Sequence, residues 1–293
     1  MRGWIRGVLF LLIFTAFEVN VVRANAQWGF EPHRFIHKHA CLSLPQPLFK
    51  FYKPHIAYLM EHAVDPDMRR YIDTAEASKH YIDIEDYNMP LDSMPVYYDS
   101  AVSKFGFERL HESGWLPWNL IFQIHRLKNA FALGDLDKIL RATADLGHYA
   151  ADACVPLHTT TNYNGHLTDQ QGIHALWETQ VPARFMDTLL NLPPEARYFE
   201  SPAAEIWLQI NRAHQLTSTV FEEELKIRKN LPQHLQQGFQ QKKSEVSLSF
   251  SEKYIADFHR SQQGLVEQQM LTSISFFRDC IYTAWILAGQ PEL

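Results

Sequence analysis

His148 and Asp152 stand four residues apart, and His158 follows six residues later with Pro156 in between. Four apart on a helix means one face, with the two side chains stacked a turn apart. Proline lacks an N–H and crowds the turn before it, so Pro156 ends or bends the helix and frees His158 to swing back. Two imidazoles and a carboxylate converging after a helix end form a donor set for a divalent transition metal. His174 and Glu178 repeat the four-residue spacing further on. These five donors exceed the four that one zinc takes, so more than one ion is implied. Clustered divalent ions suit phosphoester hydrolysis, because they make hydroxide at neutral pH and neutralise phosphate oxygens.

The chain carries 15 histidines, and a lone histidine on a helix is more often packed, capping or solvated than ligating. By that standard His37, His55, His62, His111, His125, His214, His234 and His259 receive no assignment. Asp65 and His80 upstream, with Trp28 and His33 near the expected mature start, complete the candidate set.

These residues need helices to hold them. Leu120, Ile121, Ile124, Leu127 and Phe131 recur at threes and fours after Trp115-Leu-Pro-Trp118, which predicts a long helix interrupted at Gly134-Asp135. Residues 139–155 form the next helix and carry His148 and Asp152. A polar loop around Asn162-Tyr-Asn-Gly165 precedes the helix bearing His174 and Glu178. Residues 84–96, rich in proline and aspartate, read as an irregular excursion. Amphipathic helix continues through 206–225 and apolar helix through 274–287, with a glutamine-rich polar stretch at 233–241 between them. Clear two-residue alternation is nearly absent, and there is no internal repeat or convincing linker. The expected fold is all-α, a single multi-helix domain over residues 27–293.

Of the 293 residues, 46% are hydrophobic and 20% charged, a globular composition. The net charge of −6 lacks the basic footprint of a duplex-binding module, though it does not disfavour an enzyme that meets phosphate through metal cations. Residues 1–26 read as a cleavable signal peptide: Arg2 and Arg6, a short apolar run, then Ala24-Asn-Ala26. That places the protein outside the cytoplasm, secreted or periplasmic. No second apolar span follows, so no transmembrane segment is expected in the mature chain. Three cysteines and no CxxC pair rule out a disulfide scaffold or zinc ribbon. A Cys41–Cys280 bridge is conceivable, and Cys154 reads as a small buried apolar residue. No stable protein partner is indicated.

His148-x3-Asp152-x5-His158, with Pro156-Leu157 before the last histidine, resembles the core signature of the trinuclear-zinc superfamily that joins bacterial phospholipase C with the P1/S1 nucleases. Trp28-Gly29 and His33 resemble that family's amino-terminal block, Asp65…His80-Tyr-Ile-Asp83 the next, and His174-x3-Glu178 the last. The blocks keep their order over residues 28–178. The resemblance implies an all-α fold and two to three zinc ions. Asp65, His80, His148 and Asp152 would hold one, His158, His174 and Glu178 a second, and Trp28, His33 and a bridging Asp152 a third. It also implies attack by a metal-bridging hydroxide oriented by Asp65. Arg69, or Arg70 beside it, is a candidate phosphate clamp; the alternative for the pair is a solvated helix start. Two departures stand out. The Ala-x-Ala site makes Gln27 the first mature residue, where the family begins on the tryptophan. Asp67 could replace Asp65, although the spacing to His80 favours Asp65.

The implied substrate is a phosphodiester. The short Trp28-to-His33 gap, the Asp65–His80 spacing and the nearby arginine resemble the nucleases. Glu178 in place of aspartate, and the short run from His158 to His174, resemble phospholipase C. The nuclease-like reading, single-stranded nucleic acid with Tyr81, Tyr163 or Phe30 as stacking platforms, is preferred, and phospholipid headgroups are the alternative. A non-catalytic secreted helical metal-binding protein is the remote third. Its diiron form would need two Glu-x-x-His motifs, and Glu108–His111 stands alone.

Overall fold

The computed structural model describes residues 29–189, 195–242 and 245–293, so the expected leader and Trp28 lie outside the described residues. The fold is all-α. Its helices of eight residues or more are α1 (Phe30–Leu42), α2 (Tyr98–Phe105), α3 (Leu116–Leu133), α4 (Leu136–Asp152), α5 (Pro202–Gln215), α6 (Thr217–Asn230), α7 (Glu252–Ser261) and α8 (Leu265–Leu287). Among the described residues no helix is long and apolar enough to cross a membrane.

The centre of the molecule is α4. Gly134, left-handed at φ 61°, closes α3, and Asp135 caps α4 by accepting the Lys138 N–H at 3.1 Å. From Ile139 to Asp152 every residue of α4 except Arg141 is buried, so this helix has almost no solvent face. It packs against α1, α3 and α8. Such proximity requires small side chains, and Ala142, Ala144, Gly147, Ala150 and Ala151 supply them. A methyl group on Gly147 would lie 2.4 Å from the Phe277 ring and 2.5 Å from His37 Nε2.

The helix ends at Asp152, three residues short of the expected boundary. Val155 is extended (ψ 118°) because the residue before a proline is pushed out of the α region, and a single turn, Pro156–Thr159, follows. The segment before α3 is pinned beside that turn: Ile82 N–H donates to the His158 carbonyl at 2.9 Å, and Leu116 N–H to the Tyr81 carbonyl at 3.1 Å. Gly114 (φ +81°) permits this, since a Cβ there would sit 2.3 Å from the Tyr81 oxygen.

The one departure from helix among the described residues is an antiparallel hairpin, β1 (Gln237–Lys242) with β2 (Glu245–Phe250), pairing Phe239 with Leu248. Val246-Ser-Leu-Ser-Phe250 does alternate apolar and polar, a strand signal masked by the glutamine-rich run before it. The three cysteines are buried free thiols, so no Cys41–Cys280 bridge forms.

Candidate metal centre

Four elements converge on the end of α4. The first turn of α1 brings His33, the helical turn Asp65–Arg69 brings Asp67, a strap ahead of α3 brings His80, and α4 itself brings His148 and Asp152. His158 arrives on the turn after Pro156. His174 and Glu178 arrive on a short helix whose last turn widens, with Val181 N–H reaching the Leu176 carbonyl five residues back. Widened turns of this kind are frequent at functional sites. Gly29 docks the start of α1 there, its N–H 3.3 Å from the Glu178 carbonyl.

Three groups of donors result, each with its ligand atoms mutually within 4.8 Å: His33, His148 and Asp152; Asp67, His80 and His148; and His158, His174 and Glu178. All of them are buried. His148 donates from Nδ1 to the Ala63 carbonyl at 2.9 Å, which leaves the Nε2 lone pair facing inward. That Nε2 lies 3.0 Å from His80 Nδ1, 3.4 Å from Asp152 Oδ2 and 3.7 Å from Asp67 Oδ1. His158 follows the same pattern. Its Nδ1 donates to the His80 carbonyl at 2.6 Å, and Nε2 faces the Glu178 carboxylate at 3.3 Å. His174 Nε2 is 3.0 Å from the same carboxylate.

The electrostatics favour a cation. Burial holds His80, His148, His158 and His174 below the usual imidazole range, so they are neutral nitrogen donors. Burial alone would raise Asp152, but the facing His148 and His158, with His80 Nδ1 at 2.9 Å and the His33 ring at 3.5 Å, hold it well below the usual carboxylate range. Asp67 is pushed up to about 8 by burial and by the Asp152 charge, with Arg70 opposing. Several inward atoms have no hydrogen-bond partner among the described residues: both nitrogens of His33, Asp67 Oδ1, His80 Nε2 and Asp152 Oδ1. Buried polar atoms are nearly always satisfied, so this concentration of orphans fits metal coordination. The residues present can hold metal ions.

Of the residues expected from the sequence, His33, His80, His148, Asp152, His158, His174 and Glu178 are brought together. Asp65 is not. Its carboxylate is exposed and bonds His62 Nδ1 at 2.7 Å, and Asp67 occupies the place expected for it. The cause is local geometry: in the turn begun by Asp65 and Pro66, the i,i+3 pairing sets Asp67 and Arg70 on one face, with Arg70 Nη1 3.6 Å from Asp67 Oδ1. Arg69 points elsewhere, to Asp145 (3.0 Å), Glu76 (3.2 Å) and the Tyr149 hydroxyl (3.3 Å). The arginine that reaches the site is Arg70. It lines a cavity of about 190 Å³ together with Ala77, Tyr81, Asp83, Leu157, Tyr163 and the ligands His158 and His174.

Sequence reasoning missed Glu76 and Asp145, which hold Arg69 in place. Glu76 is buried, bonds Lys79 Nζ at 2.5 Å and the Tyr149 hydroxyl, and sits 3.9 Å from His80 Nε2. Glu76-x3-His80 is a helical spacing, but it spans a single loose turn, and periodicity gives no sign of it. No family model and no curated protein matches the chain.

Proposed function

We propose that the chain is a zinc-dependent phosphodiester hydrolase of the S1/P1 nuclease-like kind, acting on single-stranded nucleic acid or a nucleotide phosphoester. One observation carries this reading: three histidine–carboxylate groups meet at the end of one buried helix, beside a cavity into which an arginine projects. The neutral imidazoles and ionised carboxylate are the donor set zinc prefers. Zinc would supply Lewis acidity and lower the pKa of water to near neutrality.

The chain's own groups supply the rest. Arg70, held by Asp67 at the cavity wall, would grip two phosphate oxygens through its planar fork. This role was open to Arg69 or Arg70 in the sequence, and Arg69 is committed to internal carboxylates. Tyr81 and Tyr163 line the same cavity, and aromatic rings there would give a base something to stack on. The buried helix end keeps bulk water from the ligands, which strengthens every interaction made there.

A second reading, phospholipase C, draws on the exposed apolar pair Tyr71 and Ile72, 72% and 88% accessible and adjacent to Arg70. Exposed apolar side chains next in sequence to a phosphate-binding arginine would suit a lipid surface. The leader-like residues 1–26 lie behind our placing of the protein outside the cytoplasm, secreted or periplasmic.

The test is a side-by-side assay of the zinc-loaded protein on single-stranded DNA and RNA, a 3′-nucleotide and phosphatidylcholine, with Asp152→Asn as control. Cleavage of the nucleic acids, abolished in the control, is expected. Cleavage of phosphatidylcholine alone would move the assignment to phospholipase C. Full activity in Asp152→Asn would end the multi-zinc reading.

A further inference from the structure

A second and larger groove, about 620 Å³, lies between the second half of α3 and the first turns of α4. Arg126, Lys138, Arg141 and His125 line it, Phe122 and Leu133 present exposed apolar surface within it, and no carboxylate is among its lining residues. Lys138 bonds Asp135 at 2.9 Å. Asp135 and Asp145, which pair Lys138 and Arg126, lie outside the lining, so in a chain of net charge −6 the groove wall presents three cations, of which Arg141 alone has no carboxylate partner among the described residues. Such patches raise the local concentration of anionic ligands.

The groove is tied to the metal centre. Arg126 bonds one oxygen of Asp145 at 2.5 Å, and Arg69 bonds the other at 3.0 Å. Arg69 then reaches Glu76, which also carries Lys79. Arg126, Arg69 and Lys79 all keep part of their side chains in solvent. A chain of part-exposed cations, joined by the more deeply buried carboxylates of Asp145 and Glu76, therefore runs from the groove to the turn that delivers Arg70 into the cavity.

We propose that this groove binds the phosphodiester backbone of the same single strand whose scissile bond lies in the metal cavity, which rests on the nuclease-like reading above. Arg141 and Lys138 contact phosphates, and Phe122 stacks on a base. Stacking on one exposed ring requires an unpaired base, which selects single strands over duplex. Contacts of this kind position a substrate without reading its sequence.

The experiment measures fluorescence anisotropy of the full-length, zinc-loaded protein with labelled dT20 carrying phosphorothioate linkages, which slow its hydrolysis. The double variant Lys138→Gln/Arg141→Gln should bind about tenfold more weakly at low salt. Its log Kd against log salt should be shallower by about 1.4, two phosphates at roughly 0.7 each for single strands. Phe122→Ala should weaken binding with the slope unchanged. All of these variants should hydrolyse bis(p-nitrophenyl) phosphate like the parent. An unchanged slope in the double variant overturns the proposal. So does an equal loss of binding to polyglutamate or to phosphatidylglycerol vesicles, which would mark a general anion surface. If the parent protein fails to hydrolyse the small diester with zinc, the hydrolase reading falls, and the dT20 comparison still decides the groove on its own.

Discussion

The Nε2 of His148 and the Nδ1 of His80 face each other at 3.0 Å. Because His148 spends its one N–H on the Ala63 carbonyl, the nitrogen it turns toward His80 carries a lone pair. With the ionised Asp152 3.4 Å and Asp67 3.7 Å from that nitrogen, the pair gathers donor atoms around a buried space that a divalent cation would fill.

Metal removal should therefore destabilise the protein. At a free zinc concentration a hundred times the dissociation constant, one site contributes about 2.7 kcal/mol. For a chain of this size that corresponds to a melting-temperature shift of roughly 5–10 °C. Thermal unfolding in EDTA, then with zinc restored, should show a drop and its recovery. No bound metal by elemental analysis, together with an unchanged melting temperature, would remove the metal centre altogether.

Asp67 and Asp65 give a clean contrast. Asp67→Asn should reduce bound metal and hydrolysis by an order of magnitude or more, because it removes a buried donor. Asp65→Asn should leave both near the parent level, since that carboxylate faces solvent and His62. Elemental analysis and a diesterase assay on both variants settle the matter, and equal effects would contradict the placement.

This contrast also marks how far the sequence could be read. The His148/Asp152 and His174/Glu178 spacings survive into the structure because helix periodicity is rigid: four residues is one turn, whatever surrounds it. Pro156 was legible for the same reason. The spacing to His80 favours Asp65 over Asp67, but spacing across a loop has no fixed period, and the choice depends on the phase of a single turn after Pro66. The hairpin at 237–250 was hidden by a composition that favours neither helix nor strand. Glu76 and Asp145 could not be inferred, since their roles come from contacts with Arg69 across elements far apart in sequence.

The two adjacent arginines should separate stability from chemistry. Arg69→Ala leaves Glu76 and Asp145 short of a partner and should cost about 2–3 kcal/mol by urea denaturation, discounted for its partial exposure. Arg70→Ala should unfold like the parent but lose on the order of a hundredfold in kcat/KM on a phosphodiester, if it grips the phosphate as proposed. Reversed results would return the clamp to Arg69.

Asp83, in the cavity wall, is pushed up to about 7 by burial, with the Asp86 and Glu85 charges adding to it. Between about pH 4 and 7 the folded chain holds a proton there that the unfolded chain has released. The contribution of Asp83 to stability is therefore present at low pH and lost as pH rises through that window. Asp83→Asn has no such proton to lose. In EDTA, the stability of the variant relative to the parent should rise by about 1–2 kcal/mol from pH 4.5 to 8, after discounting for solvent in the cavity. A constant difference across that range would show that Asp83 titrates normally.

Gly147 tests how closely metal binding depends on helix packing. Its added methyl would meet the Phe277 ring at 2.4 Å and His37 Nε2 at 2.5 Å, so Gly147→Ala must separate α4 from α1 or α8. Overpacking of this kind costs about 1–3 kcal/mol, even though alanine is the better helix former. Because His33 rides on α1 and His148 on α4, with rings stacked 4.0 Å apart, a small displacement also spreads the His33–His148–Asp152 donors. Gly147→Ala should thus lose both stability and metal, measured by urea denaturation and by competition with a zinc chelator. A variant that lost stability yet kept full affinity would mean that the donors tolerate the shift, and that the helix interface and the site are mechanically separate.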